Sequence, residues 1–258
     1  MDQDLLHVDT TGPIAVLRLN RAAKRNALND GLVLALHRAF DSLPSHTQAV
    51  VLGAHGEHFS AGLDLGELTE RDPGQGLMHS RMWHTALDAI QHGPAPVIAA
   101  LHGAVVGGGL ELAAACHVRV ADETTYYALP EGTRGIFVGG GGSVRIPKLV
   151  GTARMADMML TGRVYNAVDG ERAGFSQYLV APGQSFARAL ALAERVAQNA
   201  PLTNFAITQA LPRIAEQASD HGFLTEALMT AVAQSAPEAK KRLKDFLEGR
   251  AAKVASPA

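Results

Sequence analysis

The chain has one cysteine, Cys116, among its 258 residues, so it forms no internal disulfide and no thiolate zinc site. It has no excess of positive charge. Lys and Arg number 23 against 25 Asp and Glu, a balance that does not favour a nucleic-acid partner. Its one basic stretch, Lys240, Lys241, Arg242 and Lys244, is interspersed with Asp245 and Glu248 and reads as a solvated helix face. No apolar run reaches the ~18 residues a membrane helix needs; the best candidate, Pro96 to Cys116, is broken by His102, by glycines and by Glu111. Met1 to Thr10 carries acids and no basic n-region, unlike a secretory signal. The 11 histidines are scattered, and neither His55 and His58 nor His79 and His84 have a zincin spacing. The expectation is a cytoplasmic protein with no metal, no membrane and no nucleic-acid partner.

What is present is a folded-protein composition, 47% hydrophobic and 19% charged, enough for a large core. Ile14 to Leu19, Ala49 to Leu52, Val97 to Leu101, Val118 to Ala121 and Thr125 to Ala128 read as short strands. Helices are expected from Asn29 or Asp30 to about Phe40, from Leu77 to Gln91 before Gly93 and Pro94, and from Leu110 to Cys116. Toward the C-terminus the pattern changes to Ala- and Leu-rich segments at 184–199, 201–217, 220–235 and 237–249. We therefore expect an α/β core over residues 1–198 and an all-helical region over 199–258, amphipathic enough to pack on its own core or on another subunit.

Three glycine-rich places lie where a strand meets a turn or helix: Phe59 to Leu65, His102 to Glu111, and Leu129 to Gly142. Glycine lets a backbone N–H approach a ligand closely, and a triple glycine at a helix start offers unsatisfied donors and the positive end of the dipole. That suits a phosphate, a carboxylate or a developing oxyanion. No Gly-Lys-Ser/Thr ending marks a P-loop, and no Gly-x-Ser-x-Gly marks a serine-hydrolase elbow. Glu111 stands in an otherwise apolar helix and Glu131 in another mostly uncharged stretch. Two carboxylates in such settings can be tuned apart into a base and an acid. Alternatively, each is a structural ion pair with Arg119, Arg134 or Arg145.

The segments Ala61-Gly-Leu-Asp64, His102-Gly with Gly107-Gly-Gly-Leu-Glu111, and Pro130-Glu131 with Gly139-Gly-Gly-Gly142 resemble the enoyl-CoA hydratase (crotonase) family in order and spacing. Arg21, Lys24-Arg-Asn-Ala-Leu28 and Gly151 with Leu160-Thr-Gly162 fit the same pattern, so the resemblance runs from about residue 10 to the C-terminus. It implies a crotonase-type spiral of ββα units with a C-terminal helical trimerisation region, assembled as a homotrimer or a dimer of trimers. It implies an oxyanion hole made by the N–H groups of Ala61 and Gly108, and catalytic glutamates at Glu111 and Glu131. Lys24, Arg25, Ala61, Gly62, Leu63, Asp64 and Leu65 are implied to contact coenzyme A, with Gly139 beside the attacking water. The reaction implied is hydration of a 2-enoyl-CoA, with coenzyme A carried by the substrate and no other cofactor.

Some positions depart from the family pattern. Val138 stands where a proline is common, and Arg134, three residues after Glu131, either pairs with that carboxylate and weakens it as an acid or points elsewhere. Gly249 replaces a lysine that would contact adenine, a role Arg250 is placed to take. Met78, Met82 and Trp83 either wall an acyl pocket or belong to the core. The 131–142 run also resembles hydratases of sulfur-substituted acryloyl-CoA that release CoA from the adduct. A non-catalytic or RNA-binding paralogue is the reading from a different class, opposed by the charge balance and both glutamates.

Overall fold

The computed structural model describes residues 5–67 and 70–250, with nothing of the Glu67 side chain. The last eight residues of the expected tail, 251–258, and the N-terminal four lie outside the described residues. By contacts the chain divides into two compact units, up to Val196 and from Ala197 onward.

In the first unit, β1 (Leu6–Asp9) pairs antiparallel with β2 (Ile14–Leu19), and a loop leads to α1 (Asp30–Asp41). There follow β3 (Ala49–Ala54), α2 (Pro73–Gln91), β4 (Val97–Leu101), β5 (Ala104–Val106) and α3 (Gly108–Ala115). Then come β6 (Val118–Asp122), β7 (Tyr126–Ala128), α4 (Gly142–Val150), α5 (Thr152–Thr161), β8 (Tyr165–Asn166), α6 (Ala167–Ala173), β9 (Tyr178–Val180) and α7 (Ser185–Ala197).

Among the described residues, nine strands form two sheets, one ordered β1-β2-β3-β4-β6-β9 and the other β5-β7-β8. From β2 onward the larger sheet is parallel, with Val51 opposite Ile98 and Ala100 opposite Val120. Its inner strands β3 and β4 are buried on both faces, which is why they read as continuous apolar runs rather than alternating ones. Alternate residues nonetheless go to different cores. Val51, Ile98, Ala100 and Val120 pack with Ala189, Leu192 and Ala193 of α7. Val50, Leu52, Ala99 and Leu101 join the main core with α1, α2 and α3. Burying each Val, Leu or Ile among them contributes roughly 1.5–3 kcal/mol before entropy, and each alanine less.

Helix α2 begins earlier than its apolar period predicts. Asp72 caps it, accepting from the Gln75 N–H while Gln75 Oε1 accepts from the Asp72 N–H, and Pro73 fills the first turn. The second unit is helical by itself: α8 (Pro201–Phe205), a π-turn at Ala206–Ala210, α9 (Leu211–Ile214), α10 (Ser219–Ser235) and α11 (Pro237–Leu247). No helix among the described residues is long and apolar enough to cross a membrane.

Candidate active site

Two loops at the carboxyl ends of β2 and β3 lock together. Arg25 and Asn26 both have positive φ, 53° and 52°, and Asn26 is fully buried. Its side chain takes the Arg21 N–H and donates to the carbonyls of His55 and His58, so a polar residue pays no desolvation penalty there. Leu28 donates to the Gly62 carbonyl, and Asp64 donates to the Leu28 carbonyl. The N–H groups from Ala61 to Asp64 are thereby nearly all spent: Ala61 on the Arg25 carbonyl at 3.0 Å, Gly62 on Ser60 Oγ, Asp64 on Leu28. The exception is Leu63, whose N–H has no partner among the described residues.

The second free donor comes from α3. Gly107, at φ 51°, turns the chain from β5 into the helix, and its carbonyl accepts from Leu110 and Glu111. The Gly108 N–H, at the first helical position, has no partner among the described residues. A Cβ built on Gly108 would sit 3.5 Å from the Leu63 nitrogen, so the two donors are neighbours, and both residues line one cavity of about 320 Å³. The Ala61 N–H, expected in the oxyanion hole, is spent on the Arg25 carbonyl, and the two unspent donors that line the cavity are those of Leu63 and Gly108.

The two glutamates line the same cavity, with Glu111 4% and Glu131 6% exposed. Glu111 Oε1 accepts the N–H groups of Gly140 (2.8 Å) and Gly142 (2.7 Å). Burial pushes its pKa up, while these backbone bonds and the Arg145 charge pull it back. Glu131 is raised first by burial and further by the negative charge of Glu111; its own backbone N–H and Arg134 oppose the rise. Glu131 Oε2 is buried without a hydrogen-bond partner. Both carboxyls are thus held above the ordinary range by burial, and they differ in their partners: Glu111 accepts two backbone N–H groups, whereas one oxygen of Glu131 has none.

The sequence model of the family described as enoyl-CoA hydratase/isomerase matches residues 9–256. The chain belongs to this family. It is 32% identical to the 2,3-dehydroadipyl-CoA hydratase of Escherichia coli, over 92% of this chain and 93% of that one. Among solved structures, a "putative enoyl-CoA hydratase" from Rhodopseudomonas palustris is 60% identical, with a TM-score of 0.93 and 95% of each chain covered. The enoyl-CoA hydratase of Bacillus anthracis is 29% identical, with a TM-score of 0.88 over 95% of this chain and 97% of that one. The fold is thus the crotonase type, and the protein is an enzyme of the enoyl-CoA hydratase kind, a hydro-lyase.

In this family member, the arginines are structural neighbours rather than partners of the glutamates. Arg119 donates to the carbonyls of Phe175 and Cys116. Arg145 donates to the Gly140 carbonyl and to Gln91. Arg134 is exposed and makes no ion pair with Glu131 among the described residues. Arg250 pairs with Asp245 and Glu248 of its own segment.

The residues expected to hold coenzyme A are distributed unevenly. Lys24 and Arg25 are exposed, with Arg25 donating to the Tyr126 hydroxyl, and Leu65 is exposed beside them. Asp64 is committed to Arg21 at 2.9 Å, which makes its carboxylate a brace for the loop. Leu63 and Gly139 face the cavity, and Gly62 is buried behind it. Trp83 lines the cavity with Ile136, Phe137 and Val138, whereas Met82 packs on the core and Met78 is exposed.

Sequence reasoning did not pick out several residues that shape the site. Leu63 was legible only as a member of the Ala61–Asp64 motif. His79 and Arg71, on the cavity wall, both meet Asp30, at 2.6 and 3.7 Å. Ser80 on α2 donates to the Gly139 carbonyl at 2.6 Å. Its only sequence signal is the i,i+4 spacing with His84, whose Nε2 is 3.3 Å from Ser80 Oγ.

Proposed function

We propose that the protein adds water across the double bond of a 2-enoyl-CoA thioester to give a 3-hydroxyacyl-CoA, using Glu111 and Glu131. The observation that carries this reading is the pairing of two unspent N–H donors, Leu63 and Gly108, with two buried carboxyl groups of unlike environment in one cavity. The thioester oxygen accepts from both donors, so negative charge develops where fixed dipoles already point. Glu111, as carboxylate, takes a proton from water while the water oxygen bonds to Cβ. The electron pair of the double bond moves to the thioester as an enolate. Glu131, as acid, then delivers its proton to Cα, and the proton gained by Glu111 returns to Glu131 through solvent. Each acid–base role is typically worth about 10² to 10⁴ in rate.

Coenzyme A enters as the carrier of the substrate, and no further cofactor is part of the proposed chemistry. Its phosphates fall to Lys24 and Arg25, exposed on the loop beside the donor-bearing segment. Self-association as a homotrimer or dimer of trimers is supported by Phe223, Leu224, Leu228, Phe246 and Leu247, apolar residues left exposed on the helices of the second unit. Light scattering on the purified protein gives the assembly mass directly.

The deciding experiment follows crotonyl-CoA by loss of enoyl-thioester absorbance and, in parallel, by free thiol, with Glu111→Gln and Glu131→Gln alongside. Absorbance loss without thiol, abolished in both variants, is the expected result. Thiol appearing with the product moves the protein to the branch that releases CoA. Activity surviving in both variants refutes the two-glutamate mechanism.

A further inference from the structure

The segment Val138 to Gly142 contributes two N–H groups to Glu111, yet four consecutive glycines have no Cβ to fix their backbone angles. Nothing within the run keeps its peptide planes from rotating. The restraint comes from outside. Ser80 Oγ donates to the Gly139 carbonyl at 2.6 Å, and that carbonyl shares one rigid plane with the Gly140 N–H. The opposite end of the same plane donates to Glu111 Oε1 at 2.8 Å. Arg145 holds the next plane by donating to the Gly140 carbonyl at 3.0 Å. With its proton committed to Gly139, the Ser80 oxygen is left to accept from His84 Nε2, 3.3 Å away and one turn along α2.

We infer that Ser80 is a positioning residue for the general base: through the Gly139–Gly140 peptide it aims a backbone N–H at Glu111 and sets how readily that carboxyl ionises. This rests on the reading of Glu111 as the base. Ser80 acts on a peptide plane and touches no atom of Glu111 itself. The charged and titratable groups around Glu111 are Glu131 across the cavity, Arg145 from α4 and His84 from α2. Of these, His84 alone touches Ser80, and it also reaches the Gly139 carbonyl. Losing the hydroxyl removes the shorter of the two side-chain holds on the Gly139 carbonyl, leaves His84 alone on it, and weakens one of the bonds that favour the charged form. The pKa of Glu111 then rises.

The test is a carboxyl-carbon NMR titration of Glu111 in the full-length protein, comparing wild type, Ser80→Ala and Ser80→Thr, with kcat and KM for crotonyl-CoA on the same samples. In Ser80→Ala the Glu111 midpoint moves up by about one unit, the tenfold change in proton affinity expected when one charge-assisted hydrogen bond is weakened. kcat falls about tenfold and KM stays within about twofold. Ser80→Thr, which keeps the donor, restores both. Ser80→Cys, a weaker donor, gives an intermediate shift and serves as the second variant should alanine fail to fold. An unmoved midpoint in a folded Ser80→Ala or Ser80→Cys protein overturns the proposal, as does an equal shift in Ser80→Thr. Wild type that turns over no enoyl-CoA refutes the hydratase reading, while the titration still decides the role of Ser80.

Discussion

Arg21 and Asp64 pair at 2.9 Å across the two loops that carry the 21–28 and 59–65 segments, with their side chains 11% and 9% exposed. The Arg21 hydrogen bond is the largest influence holding the Asp64 carboxyl below its ordinary range. Because the folded value lies below the reference value of 3.8, the stability it contributes is present above that pH and is lost as pH falls through the lowered value.

Arg21→Met leaves Asp64 without its main partner next to the Leu63 donor. We expect a loss of about 3 kcal/mol, the lower end for breaking a largely buried pair. The acid limb of the stability profile flattens because the Asp64 pKa returns toward its ordinary value. Chemical denaturation at pH 7 and pH 3 checks both; an equal loss at the two pH values contradicts the assignment.

Gly108→Ala places a methyl group 3.2 Å from the Trp83 ring and 3.5 Å from the Leu63 nitrogen. The position between the two donors is then crowded. If a thioester oxygen belongs there, kcat/KM falls by about 10² to 10³, comparable to losing one oxyanion-hole donor. Ala61→Ser leaves both proposed donors in place and provides the contrast, with activity within about threefold of wild type. Steady-state hydration of crotonyl-CoA by the two variants tests whether the space between the Leu63 and Gly108 donors is where the thioester oxygen sits.

Glu131 gives a pH-dependent trade between stability and activity. Its folded pKa is raised above the reference value of 4.5, so its contribution to stability is fully present below that pH and is lost as pH rises through the folded value. Glutamine cannot ionise. The melting temperature of Glu131→Gln relative to wild type therefore climbs from pH 4 to pH 8, each unit of raised pKa being worth about 1.4 kcal/mol, while hydration is lost. A difference in melting temperature that stays flat across this range removes the argument for a neutral acid.

Gly142→Ala tests the seat of the base. A Cβ there would lie 2.8 Å from both Glu111 Cγ and Oε1, too close for the carboxylate to stay where it is. Overpacking of this kind costs about 1–3 kcal/mol, and we expect kcat to fall at least tenfold with a smaller effect on KM. Thermal melts and turnover on one preparation give the two numbers.

Most of the strands and helices were legible because their apolar periods are strong, as in Val97–Leu101 and Asp30–Asp41. The two-residue β8 and the three-residue β9 were not, since each is too short to show a period and depends on sheet partners from elsewhere. The glutamates were found because a carboxylate in an apolar helix or an uncharged stretch is conspicuous. The donor at Leu63 was harder to see. Which N–H in Ala61-Gly-Leu-Asp64 stays free is decided by Arg25, Ser60 and Leu28, and those bonds exist only after the loops meet. Ser80 was invisible for a similar reason: its partner is a carbonyl, and carbonyls carry no sequence identity.

Leu63 supplies its free N–H from the main chain while its side chain forms part of the cavity wall. Any residue other than proline keeps that donor, so position 63 is permissive for chemistry and restrictive only for shape. A saturation library there would vary which acyl groups fit while leaving the polarising apparatus intact. On the hydration mechanism proposed above, selectivity is thereby open to evolutionary drift at a site where the reaction itself is insulated from mutation.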